Sequence, residues 1–413
     1  MPAKTILVLV VFALTYLLIA ARQLRFIPIG RPAGALLGAV AMVVIGAITP
    51  EETFQAVDHN TIVLLFAMML LTVYLDRAGF FEASASLLLR LGRSPARILA
   101  ATGVCAAVLS AFLVNDAVCL FLTPLIIVTC RRGGLPLGPF LIAIATSSNI
   151  GSAATLVGNP QNMIIGSLSQ YSFATFLLRS LPAVVVGLAA NLLLLFLYYR
   201  KHLPRGLDPA ALYPVSLDRR RLLLVGLVSL GIVAGFFGGF HLGYTALAGV
   251  LVLILVDQRE PREAFARVDW TLLVFFCGLF VVVAALRKTG LVEYVWQSSR
   301  EMLDLDTNYG LAMFSGLMTV GSNVVSNVPM VLLTGPHLAE LGNPSLGWVL
   351  LAFTTTIAGN LTLVGSVANI IVAERAKDHY TLGFYEYLKF GLVSTLVVLA
   401  VGVPLVCLGV RWF

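Results

Sequence analysis

Apolar residues fall in long unbroken runs separated by short polar segments, without the two-residue alternation of strands. A helix needs about 20 predominantly apolar residues to cross a bilayer. Runs of this kind predict spans near 5–21, 33–49, 60–75, 136–165, 173–199, 222–240, 244–256, 270–286, 347–375 and 387–411. Two more apolar regions, 98–130 and 310–345, are interrupted at their centres by Val114-Asn115-Asp116-Ala117 and Ser326-Asn327-Val328-Pro329. Each suits two short helices meeting at a polar tip, a re-entrant hairpin. The predicted fold class is an all-α polytopic membrane protein.

Composition narrows this further. The 413 residues are 59% hydrophobic and 11% charged, where a soluble domain carries about 25% charged residues. A cytosolic enzyme is excluded, and unbroken apolar runs exclude an outer-membrane barrel. The net charge of +7 belongs to the loops: 20 of the 27 Lys and Arg lie in 22–32, 76–97, 131–135, 200–221, 257–269 and 374–386. Placed in the cytoplasm, these loops satisfy the positive-inside rule, provided 98–130 and 310–345 return to the side they came from. No nucleic-acid partner is implied. The five Cys sit inside apolar runs without a CxxC pair, so they read as small buried hydrophobes and not as a metal site. His337 reads as structural. The run Ile6–Ala21 reads as a retained first span and not as a signal peptide.

An internal repeat is visible at a constant offset of 211. Ala35, Leu36 and Gly38 match Ala246, Leu247 and Gly249, and Pro50, Glu52, Phe54, Val57 and Asp58 match Pro261, Glu263, Phe265, Val268 and Asp269. Gly79 and Glu82 continue to Gly290 and Glu293; with small gaps, Asn115 meets Asn327 and Thr155-Leu-Val-Gly158 meets Thr362-Leu-Val-Gly365. The charge rule puts 50–59 outside and 257–269 inside, so the repeats are inverted. Inverted repeats with interrupted helices at matching places are the mark of a secondary transporter whose site lies near the midplane. The expected division is an N-terminal span and loop (1–32), repeat 1 (33–199), a basic linker (200–221) and repeat 2 (222–413). Each repeat holds one hairpin and one broken helix, 136–165 or 347–375.

Unwound backbone survives at membrane depth only when buried in protein or lining a wet cavity. The candidate binding residues are therefore those at the four interruptions: Asn115, Asp116, Ser148, Asn149, Gly151, Thr155, Gly158, Asn159, Asn162, Ser326, Asn327, Asn360, Thr362, Gly365, Ser366 and Asn369. Asp116 stands apart, because the other acidic residues fall in loops or near interfaces. A charge at the bilayer centre costs roughly 2.5–3.5 kcal/mol on an insertion scale, which makes Asp116 a functional candidate. An apolar setting favours its protonated form, so it is the candidate proton carrier. Coordination of Na+ is the alternative. No catalytic residue, cofactor or resident metal is expected.

These segments resemble the ion transporter superfamily, which contains arsenite efflux permeases, divalent anion/sodium symporters and the P-protein permeases. Ser148-Asn149 through Gly158-Asn159-Pro160-Gln161-Asn162 looks like that family's first broken helix, and Gly359-Asn360-Leu-Thr362 through Gly365-Ser366 like its second. Asn115-Asp116-Ala117 with Leu122-Thr123-Pro124, and Ser326-Asn327-Val328-Pro329, are similar to the hairpins of the arsenite permeases. Dicarboxylate symporters typically carry Ser-Asn-Thr at both tips, and neither tip here does. The resemblance implies export of neutral arsenite or antimonite, As(OH)3 or Sb(OH)3, by proton antiport across the inner (plasma) membrane of a prokaryote. A sodium-coupled importer of a dicarboxylate or inorganic anion is the alternative. The resemblance also implies a cytosolic ATPase as a conceivable partner, since arsenite permeases can pair with one. Oligomeric state is not readable.

Overall fold

Capping side chains at matching positions open matching helices in the two halves of the chain. Asp58 accepts from Thr61 N at 3.1 Å, and Asp269 accepts from Leu272 N at 3.1 Å. The computed structural model describes residues 3–20, 30–91, 94–204, 206, 218–257 and 260–413, and among these there is no strand. Most of the basic loops 22–32 and 200–221 lies outside the described residues.

The first half holds α1 (Ala3–Ala20), α2 (Arg31–Val44), α3 (Pro50–Ala56), α4 (His59–Arg77), α5 (Phe80–Leu91), α6 (Pro95–Phe112), α7 (Asn115–Arg132), α8 (Leu137–Ser152), α9 (Pro160–Ser169) and α10 (Phe173–Tyr199). The second holds α11 (Arg219–Phe237), α12 (Leu242–Asp257), α13 (Pro261–Phe265), α14 (Trp270–Arg287), α15 (Leu291–Ser299), α16 (Asn308–Val325), α17 (Asn327–Thr334), α18 (Pro344–Ala358), α19 (Val367–Ala376) and α20 (Phe384–Trp412). Lengths and order recur: two helices, a short surface helix, a span, an amphipathic helix, a hairpin, a broken helix and a long closing span. The fold class read from the sequence is borne out. The helix α1 packs on α2 as α11 packs on α12, so the first span has a counterpart of its own in the second half.

The halves interlock through exchanged contacts. The α2 helix packs on α14 while its counterpart α12 packs on α4; α7 packs on α19 while α17 packs on α9; α10 and α20 pack on each other. Ion pairs repeat the exchange at opposite faces. Arg77 at the end of α4 meets Glu263 of α13 at 3.4 Å, and Lys288 just after α14 meets Glu52 of α3 at 2.6 Å. The members of these two pairs correspond under the repeat. One pair lies on the face rich in Lys and Arg, hereafter the basic face, and the other on the opposite face, which the charge rule makes the outer one, as inversion requires.

Six of the described helices are both long and apolar enough to cross a membrane, and α11 buries little of itself. Its Leu223, Leu227 and Leu230 are about two-thirds exposed to the surroundings, which in a bilayer means acyl chains. Buried apolar side chains instead concentrate on α4, α8, α14 and α18, which hold the interrupted segments in place.

Two details depart from the predicted spans. The helix α2 stops at Val44, short of the predicted 49, because the chain turns through Gly46 at φ +68°. The second hairpin is lopsided. Its returning arm α17 gives way to a tighter 3-10 turn, Gly335–Glu340, where Gly335-Pro336 breaks the α-helical ladder.

Candidate functional site

The helix α8 ends at Ser152, and the chain runs irregularly to Asn159 before α9 begins. Asn159 takes an extended backbone, Pro160 follows at the first helical position, and the Asn159 side chain caps the new helix by accepting from Asn162 N at 2.9 Å. This is the ordinary chemistry of a helix start, placed in the interior of an apolar protein. In the second half α18 ends at Ala358, and α19 starts after Ser366.

Freed carbonyls at both breaks are satisfied in the same way. Asn162 Nδ2 donates to the carbonyls of Ser152 at 3.2 Å and Thr155 at 2.9 Å. Asn369 Nδ2 donates to the carbonyls of Gly359 at 2.7 Å and Thr362 at 3.1 Å. These are corresponding residues in corresponding breaks. An orphaned buried polar group costs about 1–3 kcal/mol, so each amide stabilises its break by bonding two groups that the helix no longer serves.

The breaks are then joined across the repeats. Asn149 Nδ2 donates to Asn360 Oδ1 at 2.9 Å and to Asn369 Oδ1 at 3.0 Å, while its Oδ1 accepts from Ser366 Oγ at 3.1 Å. Asn360 Nδ2 donates back to the Thr146 carbonyl at 3.1 Å. The mirror of the Asn149–Ser366 contact is Thr356 Oγ1, which accepts from Asn159 Nδ2 at 3.3 Å and Gln161 Nε2 at 3.2 Å.

Hairpin tips meet the breaks unequally. At the first tip Asn115 N donates to the Gly158 carbonyl at 2.9 Å, and Asn115 Nδ2 donates to Asn149 Oδ1 at 3.0 Å. Gly158 has no room for a side chain: a Cβ there would stand 2.3 Å from the Ser152 carbonyl oxygen. At the second tip Ser326 is exposed with φ +74° and ψ 159°, backbone territory that belongs to glycine. Asn327 Oδ1 is buried without a hydrogen-bond partner.

Asp116 is the only buried carboxylate among the described residues, at 7% exposed. Its backbone N–H is capped by Asn115 Oδ1 at 3.0 Å. It lines a cavity of about 580 Å³, along with Val114 and Ala117 of the tip and Val367 and Ile371 of α19. Toward the basic face the same cavity is lined by Arg31, Arg267, Asp269, Glu374, Arg375, Lys377 and Asp378. Thus Asp116 shares one cavity with the charged residues of the basic face.

Of the residues singled out from sequence, Asn115, Asn149, Asn360, Ser366 and Asn369 form one connected cluster. Asp116 borders it. Asn159 and Asn162 hold the first break. Others serve the packing around it: Ser148 contacts Cys119 Sγ at 3.2 Å, Thr155 donates to the Ala111 carbonyl, and Thr362 donates to Asn323 Oδ1 at 3.2 Å. Gly151 lies against the Ala107 backbone of α6, and Gly365 lies close to Asn323. Ser326 and Asn327 stay apart from the cluster. Sequence reasoning missed Thr356, Asn323 and Asn191. Thr356 was findable, since the repeat aligns it with Asn149. Asn191, fully buried in α10, donates to Thr146 and Ser147 and accepts from Ser394 of α20; a lone Asn in an apolar span was its only signal.

Comparison with known proteins gives three findings. The citrate transporter family (CitMHS) matches residues 7–358. The chain is 34% identical to the silicon efflux transporter LSI3 of Oryza sativa subsp. japonica, over 98% of each protein, and 30% identical to the putative transporter arsB of Dictyostelium discoideum, over 93% of this chain and 88% of that one. Among solved structures, the YdaH transporter of Alcanivorax borkumensis aligns with a TM-score of 0.58 at 15% identity, covering 100% of this chain and 98% of the other. The fold of a transporter with an unusual topology is thereby shared.

Proposed function

Because this chain belongs to the citrate transporter family (CitMHS) of the ion transporter superfamily, we propose that it exports small neutral hydroxylated metalloid solutes in exchange for protons. It is a multi-pass membrane transporter that carries small solutes, and not an enzyme. The solutes of the proposal are arsenite and antimonite, with silicic acid added by the name of the rice relative.

One observation carries the substrate class. The cluster joining both broken helices is built from uncharged amides and hydroxyls, with no Arg or Lys among the buried residues described. These groups are bonded to one another in this state; once the cluster opens, they offer donors and acceptors to a trihydroxy or tetrahydroxy molecule. They offer no paired cation to a carboxylate, which Arg would recognise through two parallel bonds. Asp116 borders the cluster and faces the cavity, where it exchanges a proton with the basic side. In this scheme protonation and solute occupancy exclude each other, and one part of each repeat moves against the rest to alternate access.

A second reading has its own support. Arg31, Arg267, Arg375 and Lys377 line the cavity, and the family is described as transporting citrate. A sodium-coupled importer of a carboxylate or inorganic anion would use those cations to gather its substrate. Asp269, Glu374 and Asp378 line the same cavity and offset them, so the first reading stands ahead.

The purified chain in proteoliposomes tests both readings. Arsenite flux driven by an imposed pH gradient, without sodium or ATP, supports the proposal and dispenses with an ATPase partner. Succinate or citrate uptake that needs sodium overturns it.

A further inference from the structure

His337 lies on the 3-10 turn Gly335–Glu340 that closes the second hairpin on the outer face, and it is buried at 7% exposed. Its ring stacks on Trp296 of α15, with centroids 5.3 Å apart and planes 23° from parallel. Nδ1 stands 3.3 Å from Glu293 Oε2 and 3.3 Å from Glu340 Oε1. Gln297 holds the remaining oxygens: Nε2 donates to Glu293 Oε1 at 3.0 Å and to Glu340 Oε2 at 2.9 Å. One amide therefore turns two carboxylates so that their other oxygens converge on one imidazole nitrogen.

We propose that Glu293, His337 and Glu340 bind a divalent transition-metal ion, zinc being the best match, at the outer face. Spacing is the first argument. A charge-assisted N–H···O bond is ordinarily about 2.7–2.9 Å, whereas donor atoms around a tetrahedral zinc, each about 2.0–2.1 Å from it, stand about 3.3–3.4 Å apart. Both His337 distances fit the second value, as they also fit an ion pair such as Arg77–Glu263 at 3.4 Å, so spacing permits the metal and the donor set decides. The donor set is the next argument. One imidazole and two carboxylates suit zinc and leave a fourth position for water, and all three donor atoms lie within 4.8 Å of one another. The surrounding residues complete the case. Gln297 orients both carboxylates and Trp296 fixes the plane of the ring, the kind of outer support that metal ligands have.

The site joins α15 to the closing turn of the hairpin whose tip carries Ser326 and Asn327. Metal bound there ties that hairpin to its neighbour and restrains it, so external zinc is expected to slow transport whatever the solute.

The test uses the full chain in detergent, stripped of metal, with zinc alone competing against a chromogenic chelator. One zinc per chain is expected. His337→Gln removes a direct ligand and should weaken binding at least about 100-fold, more than the roughly 10–100-fold that loss of an outer supporting group costs. Should His337→Gln misfold, Glu293→Gln serves in its place, because that residue is exposed, and the same loss is expected. Absence of binding by the parent chain, or parent-like binding by a folded variant, overturns the proposal and leaves an ion pair only. None of these outcomes depends on the substrate assigned above.

Discussion

Asn149 in the first broken helix donates from Nδ2 to Asn369 Oδ1 in the second, at 3.0 Å. Asn369 in turn spends its own Nδ2 on two carbonyls of its break. A single amide thus bridges the halves and satisfies unwound backbone where water is scarce. The site and the fold share these atoms, which makes the cluster sensitive to single changes.

Asn369→Ala removes one of the two acceptors of Asn149 Nδ2 and orphans the Gly359 carbonyl, while the Thr362 carbonyl keeps only Gly365 N at 3.1 Å. An orphaned group costs about 1–3 kcal/mol, so a clear drop in the midpoint of thermal unfolding in detergent is expected. Asn162→Ala, its counterpart, should fall by a similar amount. A variant of either residue with parent stability contradicts the equivalence of the two breaks.

Gly158→Ala places a Cβ 2.3 Å from the Ser152 carbonyl oxygen and 2.8 Å from the Ser110 carbonyl oxygen. Backbone must move to admit it, and the expected result is loss of folded protein after detergent extraction. Gly226→Ala meets nothing within 4 Å and should behave as the parent or slightly better, since alanine favours a helix by about 1 kcal/mol over glycine.

Much of this was legible in the chain. Two apolar regions broken by Asn-Asp and Ser-Asn announced hairpins, and Pro160 with Gly158 announced a helix that stops and restarts. Asp116 was visible as the one acidic residue without a loop around it. Partners were not legible. Thr356 hides in an apolar helix, because a threonine there ordinarily bonds its own preceding turn, as Thr354 and Thr355 do. The inequality of the two tips was also hidden. Asn115 and Asn327 are equivalent in sequence, yet of the two only Asn115 has a side chain hydrogen-bonded to a broken helix.

Ser326→Gly relaxes a backbone conformation that costs a non-glycine residue of order 1–3 kcal/mol. The variant should unfold at a higher temperature than the parent while transporting more slowly, as expected where strain is kept for function. Lower stability would show that the Ser326 side chain holds the tip by contacts and not at the expense of strain.

Export of a trivalent metalloid, as proposed, is expected to proceed without the five cysteines. Cys119 Sγ contacts Ser148 Oγ at 3.2 Å, and Cys119 and Cys130 are fully buried. A variant with every Cys replaced by Ser or Ala should still export arsenite at the parent rate in proteoliposomes. Loss of arsenite flux with silicic acid flux retained would instead assign a thiol to the substrate.

Coupling through Asp116 is tested most directly by measuring arsenite flux in proteoliposomes under an imposed pH gradient, for the parent and for Asp116→Asn. The parent should move arsenite against its concentration gradient when the pH gradient is applied. Asp116→Asn, which preserves shape and removes the titrating group, should move arsenite only down its concentration gradient and ignore the pH gradient. Accumulation by Asp116→Asn that follows the pH gradient as the parent does would contradict the role assigned to this carboxylate.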